Sequence, residues 1–111
     1  MATQLYQSCI DSCQKALLAC EACAEACKAE EDLAMMERCI ALDTDCAEFC
    51  KLAMHFMQRE SEFASLICED CAEICRECAE ECARHPHEHC QLCARMCNAC
   101  ADTCLSMAYV A

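Results

Sequence analysis

The stretch Cys68–Cys82, with the sequence CEDCAEICRECAEEC, carries five cysteines at alternating steps of three and four residues. On an α-helix such steps keep every sulfur on one face, which corresponds to the a and d positions of a heptad. Similar spacing recurs in three other segments, so the pattern predicts four helices that turn their cysteine faces towards a common interior. In chain order, the cysteines of the four segments are Cys9, Cys13, Cys20, Cys23 and Cys27; Cys39, Cys46 and Cys50; Cys68, Cys71, Cys75, Cys78 and Cys82; and Cys90, Cys93, Cys97, Cys100 and Cys104.

The second segment has fewer cysteines than the others, and residues of other types complete its cysteine face. Met36, Asp43, Ala53 and Met57 occupy the remaining in-phase positions. A buried carboxylate is costly unless it is paired or bound to a metal ion. Asp43 is therefore either a polar feature of the core near one end of the bundle or a sign that the local register shifts to Leu42.

The chain contains no glycine and a single proline, Pro86. The sequence therefore has almost none of the residues that turns with positive φ, and β-hairpins in general, require. We predict an all-α fold. Helices are expected at about residues 3–29, 32–58, 61–84 and 86–109, with Ser61 as the N-cap of the third and Pro86 at the first position of the fourth. The short connections favour one domain, an antiparallel up-down-up-down four-helix bundle with a cysteine-lined core.

The formal net charge is −12, with only eight Lys and Arg residues in the chain. Nucleic acids and anionic membranes both require a basic surface, so neither is an expected partner. No apolar run approaches the length of a membrane span, and the N-terminal sequence MATQLYQSCID lacks the features of an export signal. We expect a cytosolic protein, in which thiols stay reduced and massed cysteines indicate metal binding more often than disulfides.

The cysteine spacing favours Cu(I) over the other soft ions. Structural zinc is usually held by CxxC pairs in loops, whereas here pairs such as Cys20 with Cys23 lie inside helical patterns. Iron–sulfur clusters use runs such as CxxCxxCxxxCP, and the sequence has no such run. Cu(I) accepts two or three thiolates, so a CxxxC pair on one helix is nearly a site in itself. We predict a core that binds multiple Cu(I) ions.

Other interpretations of so many cysteines are less favourable. One or two buried cysteines are ordinarily small apolar core residues, but alanine or leucine would pack as well without the oxidation risk. Paired disulfides would need matched spacings and an oxidising compartment. Metallothioneins share the cysteine density but have little other apolar sequence, whereas this chain is rich in helix-forming residues. We therefore expect the metal-free bundle to be folded.

The two ends of the predicted bundle differ in chemistry. At one end we expect His85 and His89 to face the cysteines, His87 to face solvent, and Met36 to lie where a first ligand for incoming metal would be useful. We call this end the mouth and predict that copper enters there. The opposite end is expected to be closed by largely apolar side chains, those of Tyr6, Phe56, Met57, Phe63, Leu105, Met107 and Tyr109.

Cysteine faces on four helices, CxxxC pairs throughout and a histidine cluster at one end resemble the cytosolic branch of the bacterial copper storage proteins. The resemblance covers essentially the whole chain. It implies a four-helix bundle that stores many Cu(I) ions on cysteine thiolates, often as a homotetramer, without catalysis. Copper chaperones or small thiols would be suitable exchange partners. The alternatives are a thiolate store for zinc or another soft metal in detoxification, and a thiol redox buffer.

Overall fold

The computed structural model describes the backbone of residues 2–108 and the side chains of residues 4–108. This part of the chain forms four helices: α1 (Ala2–Lys28), α2 (Leu33–Gln58), α3 (Ala64–Ala83) and α4 (Glu88–Ala108). The prediction of an all-α fold is confirmed. The expected end of the fourth helix at residue 109 lies outside the described residues.

The helices form a bundle in which α1 and α3 each pack against both α2 and α4. Helices α1 and α2 run antiparallel, because the end of α1 meets the start of α2 and the reverse. The sulfur of Cys27 lies 3.9 Å from that of Cys39, and Nζ of Lys51 lies 3.3 Å from a carboxylate oxygen of Glu21. The bundle measures 48 × 18 × 17 Å. Within the described chain, no helix combines the length and the hydropathy needed to cross a membrane.

The turn between α2 and α3 explains why α3 begins later than expected. The N–H of Ser61 bonds to the carbonyl of Phe56 and that of Glu60 to the carbonyl of Met57, the two hydrogen bonds of a Schellman motif. Ser61 therefore belongs to the end of α2. Ser61 also contacts the turn before α3, since its hydroxyl accepts a hydrogen bond from the N–H of Phe63 and its carbonyl accepts one from the N–H of Ala64. The N-cap of α3 is nevertheless Phe63, and the prediction of Ser61 as this N-cap is wrong.

The turn between α3 and α4 also differs from the expectation. Pro86 lies in the connection, and α4 begins at Glu88. The first turn of α4 is set by the carbonyl of His87, which accepts hydrogen bonds from the N–H groups of Cys90 and Gln91. The side-chain amide of Gln91 then donates to the carbonyls of Ala83 and His85, so it ties the end of α3 to the start of α4.

The end of the bundle opposite the mouth contains the expected apolar residues, but they are not equally buried. Tyr6 and Met57 are buried, and Phe56 and Met107 pack against the core from its edge. Phe63, in contrast, is 55 % exposed. Leu105 is 39 % exposed. The expectation that Phe63 and Leu105 help to close this end is therefore wrong, while Tyr109 lies outside the described residues.

Candidate metal centre

All 18 cysteines of the protein are buried free thiols, and none has more than 1 % of its surface exposed. Neighbouring sulfurs on different helices come as close as 3.4 Å, between Cys20 and Cys97, and 3.5 Å, between Cys46 and Cys75. A disulfide bond is about 2.05 Å long, so these are contacts between separate thiols. The four cysteine faces therefore meet in the interior, as their spacing predicts.

The sulfurs are grouped closely enough to share metal ions. Two thiolates bound to one ion at about 2.3 Å each are at most about 4.6 Å apart. The structure contains several sets of four candidate ligand atoms that all lie within 4.8 Å of one another. Five of these sets are Cys23, Cys27, Cys39 and Cys90; Cys20, Asp43, Cys78 and Cys93; Cys20, Cys46, Cys78 and Cys97; Cys50, Cys71, Cys75 and Cys100; and Cys13, Cys71, Cys100 and Cys104.

These sets follow one another along the bundle axis. From the mouth inwards, successive sets use residues that lie progressively nearer the N-terminus on α1 and α3 and nearer the C-terminus on α2 and α4. The second and third sets share Cys20 and Cys78, and the fourth and fifth share Cys71 and Cys100. The other two steps are bridged by contacts of 3.9 Å between Cys39 and Asp43 and of 3.5 Å between Cys46 and Cys75. The ligand atoms therefore form a continuous column, which we call the sulfur column, rather than isolated four-ligand sites.

Asp43 lies inside this column. Its side chain is fully buried, whereas that of Leu42 is only partly buried, so the alternative register at Leu42 is wrong. The Asp43 carboxyl replaces a sulfur one layer in from the mouth and is surrounded by thiols. Its Oδ1 lies 3.2 Å from Cys78, 3.3 Å from Cys82 and 3.4 Å from Cys93, and its Oδ2 lies 3.9 Å from Cys39.

Burial raises the pKa of several acidic groups in this core. Removal from water, reinforced by repulsion from Cys93, raises the pKa of Asp43 to about 8. Burial likewise raises the pKa of the Cys27 thiol to about 12 and raises that of Cys90. Cys27 and Cys90 are therefore protonated near neutral pH, whereas hydrogen bonds from Cys23 and Cys82 hold the pKa of Cys39, in the same set, below its ordinary value. An incoming soft cation must displace the protons of Cys27 and Cys90 in order to bind them as thiolates.

His89 is the histidine that the structure aims at the column. Its Nδ1 lies 3.5 Å from the sulfurs of Cys23 and Cys90 and 3.9 Å from that of Cys27. Its other nitrogen, Nε2, lies 2.9 Å from a carboxylate oxygen of Glu30, in the connection between α1 and α2. When Glu30 accepts the Nε2–H, Nδ1 keeps a free lone pair, which is the arrangement that orients metal-binding histidines.

His87 packs against His89 instead of facing solvent, so the expectation for this residue is wrong. The two imidazole rings are parallel to within 3°, with centroids 5.4 Å apart. Nδ1 of His87 lies 3.5 Å from Glu30, and Nε2 lies 3.6 Å from Asp32. Nε2 is buried without a hydrogen-bond partner. His87 thus covers the outer side of His89 at the mouth.

His85 is buried as expected, but it is engaged elsewhere. Its Nε2 lies 2.8 Å from Glu81, one turn earlier on α3, and Glu81 also binds Arg38 at 3.1 Å and Arg84 at 3.5 Å. Burial acts to raise the pKa of Glu81, but the hydrogen bonds from His85 and Arg38 hold it below its usual value. Glu81 remains ionised and binds the ring of His85, and the place of His85 in the ligand set stays a prediction.

Met36 is fully buried, one helical turn before Cys39 on α2. Its thioether therefore lies in the core near the mouth layer. A buried methionine fills space in many cores without any contact to metal, so the place of Met36 in the ligand set stays a prediction.

Two carboxylates at the mouth were missed by the sequence analysis. Glu81 could have been found, because its spacing of four residues from His85 places both side chains on one side of α3. Glu30 carries no such signal. It lies 59 residues from His89 along the chain and meets it only because the connection between α1 and α2 folds over the start of α4.

A family model described as "copper storage protein" matches residues 2–109 of the chain. The chain belongs to the copper storage protein family. No curated protein matches it.

Solved structures of copper storage proteins resemble this one closely. Cu(I)-bound copper storage protein BsCsp3 shares 43 % identity over 93 % of this chain and 97 % of its own, with a TM-score of 0.89. Apo-Csp3 from Bacillus subtilis also shares 43 % identity, over 93 % of this chain and 98 % of its own, with a TM-score of 0.86. A cytosolic copper storage protein from Streptomyces lividans, loaded with five coppers, shares 33 % identity over 99 % of this chain and 97 % of its own, with a TM-score of 0.94.

Proposed function

We infer that this protein stores Cu(I) by binding many ions to the thiolates of its sulfur column. The observation that carries the inference is the burial of all 18 cysteines, most of which belong to sets of ligand atoms that lie within 4.8 Å of one another. Membership of the copper storage protein family supports it. The role is storage and not catalysis, and Cu(I) is the cargo.

The chemistry of an apolar thiol core suits this cargo. Each Cu(I) that binds a thiolate replaces one proton, so the charge of the core stays nearly constant as it fills. Charge burial, which would otherwise limit the number of cations in a low-dielectric interior, is thereby avoided. Because neighbouring sets share cysteines, thiolates can bridge ions, and we expect a capacity on the order of one copper per cysteine.

The ligand set that we propose comprises all 18 cysteines together with His89 and Asp43, with Met36 as an additional candidate at the mouth. His89 is the proposed first ligand for incoming copper, because its Nδ1 is directed at Cys23, Cys27 and Cys90. His85 is not a proposed first ligand, because the contacts described for its ring reach Glu81 and no sulfur, whereas those of His89 reach three sulfurs.

Assembly and exchange are further parts of the proposal. Following the family resemblance, we propose a homotetramer that exchanges copper with chaperones or small thiols. The S. lividans relative is described as cytosolic, which supports a cytosolic location for this protein as well.

The decisive experiment is an anaerobic titration of the fully reduced protein with Cu(I) and, separately, with Zn(II), followed by desalting and metal analysis. Copper retained at roughly one equivalent per thiol would support storage. Saturation at four or five equivalents of Cu(I) would contradict it, because closed four-ligand sites would give that number.

The same samples test the two alternatives. A zinc store would retain Zn(II) through desalting at about one ion per four thiols. A thiol redox buffer would lose free thiols reversibly on mild oxidation without retaining either metal. Neither result is expected from a column that binds bridged Cu(I).

A further inference from the structure

The side of the bundle between α1 and α2 contains a crevice of about 290 Å³ whose lining includes two residues of the sulfur column, Cys20 and Asp43. These two belong to one set of candidate ligands, together with Cys78 and Cys93. The crevice therefore leads to the middle of the column from the side, away from the histidines at the mouth. We call it the α1–α2 crevice.

The barrier between this crevice and the column is thin. Ala24 on α1 and Ala47 on α2 line the crevice beside Cys20 and Asp43, and neither alanine has side-chain atoms beyond Cβ. Cys20 and Asp43 are fully buried, so a ligand reaches them when α1 and α2 separate slightly. Because Ala24 and Ala47 are small, the two helices need to separate only slightly for a ligand to pass between them.

The groove between α3 and α4 offers an internal comparison. It is lined by Ala72, by Leu105 and by charged residues, and its lining contains neither a cysteine nor Asp43. Ala72 and Ala47 are similarly buried, with 4 % and 5 % of their surfaces exposed. The connection to the sulfur column is therefore a property of the α1–α2 crevice and not a general result of helix packing in this bundle.

The rim of the crevice carries charges of both signs. Lys28 and Lys51 line it, although the chain has only eight Lys and Arg residues against 20 Asp and Glu. Lys51 pairs with Glu21 across the two helices at 3.3 Å, and Lys28 pairs with Glu25 at 3.0 Å. Glu48 also lines the crevice, so three glutamates stand beside the two lysines. Lys28 and Lys51 are the cations that an anionic thiol meets when it enters.

We propose that the α1–α2 crevice is an exchange site at which a low-molecular-weight thiol bearing carboxylates withdraws Cu(I) from the middle of the column. The proposal rests on the storage function inferred above. In the exchange, a bond forms between copper and the incoming sulfur while the bonds between copper and its column thiolates, that of Cys20 among them, break. The proton of the incoming thiol ends on Cys20, and copper remains Cu(I), so no oxidant or reductant is needed.

The test uses the copper-loaded protein under anaerobic conditions, with reduced glutathione as the probe thiol and bathocuproine disulfonate as a coloured final acceptor of Cu(I). The measured quantity is the part of the release rate that depends on glutathione. Ala47→Leu, which fills the crevice, should lower this rate several-fold, while the matched variant Ala72→Leu should leave it unchanged. Equal rates in the two variants and the parent would overturn the proposal.

Two further measurements separate failure of the crevice from failure of storage or folding. Copper content at saturation should be unchanged in both variants, and a loss of capacity in the parent would count against storage itself. In the unmodified apo protein, brief treatment with methyl methanethiosulfonate should label Cys20 before Cys78, although both are fully buried. Labelling of Cys78 first would overturn the proposal without any variant.

Charge specificity provides the last arm of the test. Replacing Lys28 and Lys51 together by Ala should slow release by glutathione more than release by uncharged β-mercaptoethanol. If both thiols are slowed equally or not at all, the crevice does not select a thiol with carboxylates.

Discussion

A carboxylate oxygen of Glu30 lies 2.9 Å from Nε2 of His89, while Nδ1 of the same ring lies 3.5 Å from the sulfurs of Cys23 and Cys90. One side of the imidazole is thus fixed by a carboxylate, and the other is presented to thiols. Outer carboxylates of this kind commonly change metal affinity or rate by about 10- to 100-fold when removed.

Glu30→Ala should therefore slow the first phase of copper uptake by about tenfold and leave the final copper content unchanged. Stopped-flow absorbance during Cu(I) addition would measure the rate. Glu31→Ala is the matched control, because it removes a carboxylate from the same connection. Glu30→Gln should restore much of the rate, since its amide oxygen still accepts the Nε2–H. Parental kinetics in Glu30→Ala would show that His89 needs no orientation.

The histidines of the mouth should not be equivalent. His89→Ala removes the ring that faces the cysteines and should slow both copper uptake and removal by a chelator. His85→Ala should leave both rates close to those of the parent, because Glu81 holds His85 in a separate ion-pair network. Metal content at saturation is the control in each case. If His85→Ala slows uptake and His89→Ala does not, the roles assigned to the two histidines are reversed.

The stability of the metal-free protein should depend on pH through Asp43. Its pKa is about 8 in the folded protein against an ordinary value of 3.8, so the folded state holds a proton that the unfolded state releases between these values. The stabilisation is full below the lower value and is lost as pH rises towards 8. The free energy of unfolding should fall by up to roughly 1.4 kcal/mol per pH unit from this group.

Urea unfolding of the reduced apo protein at pH 5, 6 and 7, beside Asp43→Asn, measures this contribution. The variant carries no proton at this position to lose, so its stability should change less steeply with pH. Identical pH slopes for the two proteins would mean that Asp43 is ionised in the folded core.

Copper binding should release protons and tighten with pH. Because burial raises the pKa of Cys27 to about 12 and raises that of Cys90, these thiols are protonated before copper arrives. We expect about one proton per Cu(I), and an affinity that rises about tenfold per pH unit for each proton displaced. Calorimetry in buffers of different ionisation enthalpy measures the released protons. An affinity that is constant between pH 6 and 8 would contradict the protonated core.

The turn after α2 offers a test of local conformation in a chain without glycine. Glu60 has φ of 56°, in the left-handed region, at the position of the Schellman motif where glycine is usual. Glu60→Gly should be more stable than Glu60→Ala by about 1 kcal/mol, since both lose the same side chain and only alanine keeps a Cβ in this region. Thermal unfolding of the two apo variants compares them directly. Equal midpoints would imply that the turn changes conformation in the alanine variant.

Much of this architecture could be predicted because it depends on periodicity. Steps of three and four residues fix which side of a helix a cysteine occupies, so the sulfur column follows from spacing alone. The positions of Ser61 and Pro86 were less accessible, because a helix boundary depends on hydrogen bonds made by the neighbouring turn. Ser61 takes part in the Schellman motif that ends α2 and in the turn that precedes α3, so it is not the first residue of α3. The carbonyl of His87 accepts the first hydrogen bonds of α4, which therefore begins after Pro86.

The histidines show where sequence reasoning stops. In-phase spacing correctly predicts that His85 is buried, but it does not predict which partner the ring binds. The ring of His85 is bound by Glu81, which in turn accepts a hydrogen bond from Arg38 on α2. The partner of His89 comes from a connection distant in the chain, which no local pattern encodes. Periodicity therefore predicts the column of ligands, whereas the chemistry of its mouth required tertiary structure.

The overlap between successive sulfur sets also bears on how such a protein can change its capacity. A closed four-ligand site gains nothing from a longer helix. Here, inserting one heptad in each helix would lengthen the bundle by about 10.5 Å and repeat the same thiol pattern without altering the fold. Copper capacity then increases with helix length. Evolution can adjust the capacity by inserting heptads while the two ends of the bundle stay as they are.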